Sequence, residues 1–254
     1  MAYNPKKWIE FLPEKMDRNS TYERSGILNI DKPEGLSSMD VIRVIRKVGS
    51  IKKAGHGGTL DPFATGVLPV LINRATKFSD KFLETDKVYS GVMLLGQAYD
   101  TQDITGTPVG EYVDCEDTIT LDFLNEEAKN FTGKIVQVPP VYSAIKKAGK
   151  PLYAYAREGK AVVADQREVF IDSFQFLEKL DAKRFTFEVA CQKGVYIRTL
   201  IHDLGIKLAV PAVLESLRRT RNGALSAESS VKLEKIRSID DIEQYILEID
   251  NFVE

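Results

Sequence analysis

The chain has 254 residues, of which 43% are hydrophobic and 28% are charged, and its net charge at pH 7 is −2. This is an ordinary globular composition. The sequence contains no apolar run long enough to cross a bilayer and no signal-peptide core, and two cysteines cannot form a disulfide framework. These absences favour a reducing, cytoplasmic setting without membrane contact.

The net charge conceals two regions of opposite sign. Residues 228–254 hold eight acids and three bases, so the rest of the chain is net positive. Basic residues cluster within residues 43–53, 146–150 and 218–221. Any one cluster is most simply a solvated face, but three together favour a polyanionic partner.

The first predicted elements are a strand and a helix. Residues 26–35, GILNIDKPEG, predict a short strand that ends in a Pro–Gly turn. Residues 37–49 predict a helix, with Ser37 and Asp40 forming its N-terminal cap and Gly49 closing it.

A glycine-rich loop follows at residues 55–66, GHGGTLDPFATG, and it holds a single carboxylate, Asp61. The loop lacks the Lys–Ser/Thr ending of a phosphate-binding P-loop. Two histidines and no paired cysteines give little support to a metal site, and no serine has a nucleophile-elbow setting, although a Ser–His–Asp triad stays open. On spacing alone, Asp61 is most simply a turn-forming residue.

The remaining elements are strands and helices that do not alternate strictly. This pattern predicts an α+β fold with a mixed sheet. The predicted strands are 66–72, 87–96, 167–178 and 184–192, and the predicted helices are 121–133, 197–208 and 238–250, the last with a Ser238/Asp241 cap.

The residues of the glycine-rich loop resemble a known family signature. HGGTLDPFATGVLPV, at 56–70, is similar to the motif H-x-G-T-L-D-P-x-A-T-G-x-L of the TruB family, the tRNA pseudouridine-55 synthases. Seven further segments match the family in the same order, so the resemblance covers about residues 26–225. They are ILNIDKPEGLSS, ATKFS, DKVY, LGQAYDTQDITG, PPVYSAIKKAGKPLYAYAREG, KGVYIRTLIHDLG and LRRTRNG.

The resemblance implies a function and a fold. It implies an isomerase that converts a uridine in the T-loop of tRNA to pseudouridine without a cofactor or metal. It also implies the pseudouridine synthase fold, a mostly antiparallel mixed sheet flanked by helices. We expect an N-terminal extension at 1–25, a catalytic domain at 26–227 and an acidic helical tail at 228–254. We expect a monomer that binds the T-arm and infer no protein partner.

Family positions assign the site residues one by one. Asp61 is implied as the catalytic residue, Arg198 as the partner of its carboxylate, and Tyr89 as the aromatic that stacks on the uracil. The residues implied in substrate binding are His56, Lys32, Tyr196 and Leu217. Outside the resemblance, Tyr89, Tyr196 and Leu217 could be core residues, and Arg198 could be a surface base at a helix start.

The sequence departs from the family at three places. Asn73 stands where a glycine is usual, and asparagine tolerates the left-handed conformation that such a turn requires. Residues 209–216 replace a glycine-rich segment, with Val213 in place of a usual histidine. The 31 residues after Gly223 are too few for the C-terminal RNA-binding domain that bacterial relatives commonly add.

Two alternative functions remain open at this stage. One is a tRNA-binding or folding factor of the same fold whose catalysis is dispensable. The other is a relative that is specialised for a different RNA.

Overall fold

Strands and helices succeed one another irregularly along the chain, as the α+β prediction requires. The computed structural model describes residues 4–13, 21–115, 118–143, 145–147, 149–158, 160 and 162–252. The chain forms two compact units, one of Met1–Tyr89 with Arg218–Glu254 and the other of Ser90–Leu217. Among the described residues, no helix combines the length and apolar character needed to cross a membrane.

The first unit contains a mixed sheet. Its strands are β1 Gly26–Lys32, β2 Ala54–His56, β3 Thr65–Ile72, the start of β4 Lys87–Leu95, the end of β12 Ala212–Asn222, β13 Leu225–Ser226 and β14 Val231–Lys232. Strand β1 pairs antiparallel with β3 and parallel with β14, and β3 pairs parallel with the second half of β12. Strand β2 also pairs with β3, and β13 with β12.

Helix α1, Ser38–Val48, confirms the predicted helix and its cap. Ser37 accepts from the backbone N–H of Asp40, and Asp40 accepts from that of Ser37, which satisfies two N–H groups of the first turn. The helix ends before Gly49, whose φ is −93°, and the left-handed residue is the next one, Ser50. The unit also contains α2 Ser79–Glu84 and α6 Ile239–Tyr245.

The C-terminal residues pack into the core of the first unit. Ile242 on α6 is completely buried, and Leu247 exchanges two backbone hydrogen bonds with Ile27 of β1. Phe252 packs against the core cluster that contains Phe82, and their ring centroids are 6.1 Å apart. The Ser238/Asp241 cap is present, but the terminal helix is shorter than predicted, because α6 ends at Tyr245 and a 3-10 turn follows at Ile249–Phe252. The segment is also more than an acidic tail, because its apolar side chains complete this core.

The second unit contains the longest strands. Its strands are β5 Ala98–Tyr99, β6 Pro108–Val109, β7 Gly133–Gln137, β8 Lys146–Lys147, β9 Lys150–Pro151, β10 Arg167–Lys179 and β11 Arg184–Cys191, and its helices are α3 Leu121–Ala128, α4 Leu152–Arg157 and α5 Ile197–Leu208. Strand β10 pairs antiparallel with both β11 and β7, and Phe185, Phe187 and Val189 alternate inward on β11 as the sequence predicted.

The departures from the family pattern have local explanations. Asn73 has a φ of 54°, so it adopts the left-handed conformation expected of it, and its amide donates to the carbonyls of Tyr22 and Arg24. Residues 209–216 are not mainly a loop. Ala209 ends α5 in a left-handed conformation, β12 begins at Ala212, and Val213 is a fully buried core residue.

Candidate active site

The segment around Asp61 connects β2 to β3. It is shorter than the predicted loop, because Gly55 and His56 belong to β2 and Thr65 begins β3. Asp61 is half-buried, and its backbone carbonyl accepts from the N–H of Ala64. A turn therefore follows the carboxylate directly, consistent with Pro62 as the next residue.

Lys32, at the end of β1, lies against one side of this segment. Its side chain is completely buried, and its ammonium donates to the carbonyl oxygens of Leu36 at 2.6 Å, Pro33 at 2.9 Å and Pro62 at 3.3 Å. The backbone N–H of Gly35 also donates to Pro62 at 2.7 Å. Burial lowers the pKa of Lys32 to about 7, and the negative charge of Asp61 opposes this shift. Lys32, which the resemblance assigned to substrate binding, is thus a buried residue that supports the loop through hydrogen bonds to its backbone.

Ser38 holds the residue just before Asp61. Its hydroxyl accepts from the backbone N–H of Leu60 at 2.8 Å and donates to the carbonyl of Leu60 at 3.1 Å. Because Ser38 is the first residue of α1, the capped end of this helix fixes the backbone on which Asp61 is carried.

Arg219 and Asn222, both on β12, hold the glycines at the start of the segment. The guanidinium of Arg219 donates to Val67 at 2.8 Å, Gly58 at 3.1 Å and Thr59 at 3.5 Å, in each case to the backbone carbonyl. The amide of Asn222 donates to the carbonyl of Gly57 at 2.9 Å. Arg219 is only 1% exposed, so it is not part of a basic surface at residues 218–221.

Two glycines of the signature are required by this arrangement. Gly58 has a φ of +126°, and Gly66 has a φ of +98°, both in a region that side chains other than glycine rarely adopt. A Cβ on Gly66 would lie 2.2 Å from the carbonyl oxygen of Arg219. Glycine at 66 therefore lets β3 approach β12 closely enough for Arg219 to reach the segment.

His56 lies at the end of β2. Its Nδ1 is buried and has no hydrogen-bond partner among the described residues. Burial and, to a smaller extent, the positive charge of Arg219 lower the pKa of the imidazole. The ring is therefore uncharged at neutral pH. Tyr89, the remaining predicted site residue of this unit, is 9% exposed in β4.

Arg198, in the second unit, is not the surface base that its helix position could have indicated. It lies in the first turn of α5 and is only 4% exposed. Its guanidinium donates to the backbone carbonyls of Thr101 and Tyr142, each at 2.9 Å, and lies 3.5 Å from the carboxylate of Asp103.

Tyr196 and Leu217 are the other predicted site residues of the second unit. Tyr196 is the residue just before α5. The side-chain amide of Gln137 bonds to both of its backbone groups, accepting from the N–H at 3.1 Å and donating to the carbonyl at 3.3 Å. The guanidinium of Arg167 lies 4.8 Å from the centre of the Tyr196 ring. Leu217, on β12, is 8% exposed.

The predicted site residues thus divide into two sets. Lys32, His56, Asp61 and Tyr89 belong to the first unit, and Lys32 and Asp61 are close enough to interact electrostatically. Arg198, Tyr196 and Leu217 belong to the second unit. The pairing of Arg198 with Asp61 stays a prediction.

Sequence reasoning missed several residues that hold this site. The sequence places Ser38 only within a predicted helix and gives no signal for Gln137. Arg219 and Asn222 fall in the segment LRRTRNG, which matched the family, but the charge of Arg219 indicated a surface residue. A buried polar residue that bonds to a loop distant in sequence leaves no periodic signal.

Comparisons with known proteins agree on one family. A model described as the TruB family pseudouridylate synthase N-terminal domain matches residues 46–197, and one described as the tRNA pseudouridylate synthase B C-terminal domain matches residues 198–253. The second match includes residues that the sequence analysis divided between a catalytic domain and a tail.

Curated relatives match most of the chain. The tRNA pseudouridine synthase B of Burkholderia lata is 46% identical over 218 residues, which cover 85% of this chain and 66% of the relative. That of Streptococcus agalactiae serotype III is 41% identical over 216 residues, which cover 84% of this chain and 74% of the relative.

Solved structures resemble the chain more broadly. A chain from a Cbf5-Nop10-Gar1 complex aligns with a TM-score of 0.69 and 27% identity, over 95% of this chain and 69% of that one. A chain from an H/ACA RNP bound to a substrate RNA containing 2'-deoxyuridine aligns with a TM-score of 0.66 and 25% identity, over 93% of this chain and 68% of that one.

Proposed function

The chain belongs to the TruB family of pseudouridylate synthases, and from this premise we propose that it isomerises a uridine of tRNA to pseudouridine. The target is uridine 55 in the T-loop, and Asp61 is the catalytic residue. The arrangement around Asp61 carries the proposal. Buried side chains bond to the carbonyls of Gly57, Gly58, Leu60 and Pro62, so a fixed backbone presents the carboxylate.

The chemistry suits a single, well-oriented carboxylate. The bond between ribose C1′ and uracil N1 breaks, the base rotates, and C1′ bonds to C5. The hydrogen on C5 is lost and N1 gains one, so the reaction is redox-neutral. Asp61 is the carboxylate that acts at this centre. Fixing its backbone reduces the reorganisation needed to reach the transition state.

The other site residues receive the roles that the family assigns to their positions. Arg198 pairs with the carboxylate, since an unpaired buried charge costs several kcal/mol or more. Tyr89 stacks on the uracil, and its hydroxyl moves a proton of the ribose. Tyr196 and Leu217 line the uracil pocket. His56, uncharged at neutral pH, occupies space in the RNA loop as bases turn out.

The RNA partner is the T-arm of tRNA, which a monomer binds in the cytoplasm. The basic residues of α1 and the segment after it support this part of the proposal. Arg46, Lys47, Lys52 and Lys53 are exposed, and none forms an ion pair with an acid in the described parts of the chain. They are free to contact phosphates, which carry most of the affinity for RNA.

An Asp61→Asn variant tests the function. We expect it to release no tritium from tRNA labelled at uridine C5, while its affinity for that tRNA stays within a few-fold of wild type. The amide keeps the shape of the side chain but removes the charge that acts in the reaction.

Asp80→Asn is the matched control, because it removes an exposed carboxylate of the same unit. It should release tritium at the wild-type rate. Turnover by Asp61→Asn would exclude Asp61 as the catalyst. Tight tRNA binding by a wild-type protein that releases no tritium would instead favour the RNA-folding factor.

A further inference from the structure

Arg219 is an almost completely buried arginine. It ranks among the largest fully buried side chains described, and its guanidinium donates to the backbone carbonyls of Gly58, Thr59 and Val67. A buried guanidinium is costly unless its N–H groups are satisfied, and here carbonyl dipoles satisfy them. Its neighbour Arg218 forms a two-bond ion pair with Asp31, at 2.9 and 3.0 Å. Neither arginine is therefore available as a free phosphate contact.

The three carbonyls lie on both sides of Asp61 in sequence. Gly58 and Thr59 precede Asp61, and Val67 lies in β3, after the turn. One planar guanidinium thus ties the incoming and outgoing arms of the segment together. A lysine could not reproduce this, because its single nitrogen lacks the rigid fork of donors.

Asn222 also holds the backbone of this segment, at the residue just before those that Arg219 contacts. Its Nδ2 donates to Gly57, and its Oδ1 accepts from the hydroxyl of Thr85 at 2.6 Å. The carbonyl of Gly57, which can only accept, and the hydroxyl of Thr85, which also lies 2.9 Å from the carbonyl of Phe82, together orient the amide. From Gly57 to Thr59, each backbone carbonyl is bonded to a side chain of β12.

We propose that Arg219, assisted by Asn222, is a positioning residue for catalysis, which acts on Asp61 through the backbone of residues 57–67. The catalytic part of this inference rests on the proposed function, because it requires Asp61 to be the catalyst. Arg219 touches neither substrate nor the reacting atoms. Its loss leaves the RNA-binding surface in place and misplaces the carboxylate.

Arg219→Lys is the test, and Arg237→Lys is its matched control. Arg237 belongs to the same unit, is exposed, and also donates to backbone carbonyls, those of Glu234 and Phe11. We expect Arg219→Lys to slow single-turnover tritium release about 10²-fold, the cost of a misplacement of about 1 Å. Its dissociation constant for tRNA should stay within threefold of wild type. Arg237→Lys should match wild type in both measurements.

Amide hydrogen exchange supplies a readout that does not depend on activity. The N–H of Leu60 donates to the hydroxyl of Ser38, and that of Ala64 donates to the carbonyl of Asp61. We expect both to exchange at least about tenfold faster in Arg219→Lys than in Arg237→Lys, because local opening becomes easier. Unchanged exchange of both amides would overturn the proposal whether or not the protein modifies tRNA.

Thr85→Val gives a second, milder variant that decides the matter if Arg219→Lys does not fold. It removes the hydroxyl that orients Asn222 and nearly preserves the volume of the side chain. We expect slower tritium release at unchanged tRNA affinity.

Two outcomes would overturn the proposal. One is a wild-type rate of tritium release in the folded variants, and the other is a slower rate that is fully explained by weaker tRNA binding. An inactive wild type, or an active Asp61→Asn, would refute the proposed function and leave hydrogen exchange to judge the structural part.

Discussion

At the scale of single residues, the site depends on charged side chains that the fold buries. Lys32 and Arg219 both use their N–H groups to hold backbone carbonyls near Asp61. Arg198 does the same in its own unit, with the carbonyls of Thr101 and Tyr142. The burial of Lys32 and Arg219 is tolerable because carbonyl oxygens accept from their donors.

Lys32 gives the protein a dependence of stability on pH. The folded state releases the proton of Lys32 near pH 7, whereas the unfolded chain keeps it until about 10.5. Between these values the unfolded state binds more protons, so the free energy of unfolding rises with pH from about 7 to about 10.5, and below about 7 the cost of burying the charged ammonium is fully present. We expect wild type to gain stability relative to Lys32→Met between pH 6 and pH 9 in urea denaturation.

Lys6→Met is the control for this measurement, because Lys6 is exposed. Its stability should follow that of wild type at both pH values. A difference between wild type and Lys32→Met that stays constant across this range would contradict the shifted pKa.

At the scale of elements, helix α6 shows that the C-terminal segment belongs to the core of the first unit. Ile242 is completely buried, and its Cδ1 lies so close to Gly49, at the end of α1, that a Cβ there would be 2.7 Å away. Strand β14 pairs with β1, and Leu247 bonds to Ile27. Deleting residues from 228 onward would thus expose this core, and would not simply remove negative charge.

Ile242→Ala tests the role of this helix. We expect the free energy of unfolding to fall by about 2–5 kcal/mol, the usual cost of removing a buried isoleucine side chain. Gln244→Ala, at an exposed position of the same helix, should change it by no more than about 0.5 kcal/mol. Equal effects of the two substitutions in chemical denaturation would show that α6 is not packed into the core.

At the scale of the whole molecule, the structure revises how the chain's positive charge can bind RNA. Of the three basic clusters, that at 218–221 contains a buried Arg219 and an ion-paired Arg218. In the cluster at 146–150, Lys147 pairs with Asp165 and Lys150 with Glu158. In the cluster at 43–53, Arg43 pairs with Asp40, but the exposed Arg46, Lys47, Lys52 and Lys53 have no acid partner among the described residues.

Salt titrations of tRNA binding test this assignment. If about four phosphates are neutralised, the slope of log affinity against log salt concentration should be roughly −3 to −4. Replacing Lys52 and Lys53 together with glutamine should make the slope shallower by about 1–2 and weaken all T-arm RNAs equally. Lys147→Gln with Lys150→Gln is the matched control and should alter the slope less. A larger effect of the control pair would place the RNA on the second unit's lysines.

The sequence by itself determined the features that depend on short-range patterns. Strands such as β11 and helices such as α1 follow from periodicity, and the Ser37/Asp40 cap follows from residues within one turn. Asn73 took the left-handed conformation because the preference belongs to its own backbone and side chain. The family, and with it the candidate site around Asp61, was recognisable from ordered motifs.

Only the tertiary structure decided which polar and apolar residues hold the site and the core. Arg219 and Arg221 look alike in the sequence, yet the first is buried against Gly58 and the second is exposed. That difference arises from the pairing of β12 with β3, across residues about 150 positions apart in the chain. Residues 228–254 likewise appeared acidic and separate, until Ile242 and Leu247 were found against α1 and β1. Contacts between distant segments set burial, and burial determines whether a charge meets solvent or a backbone carbonyl.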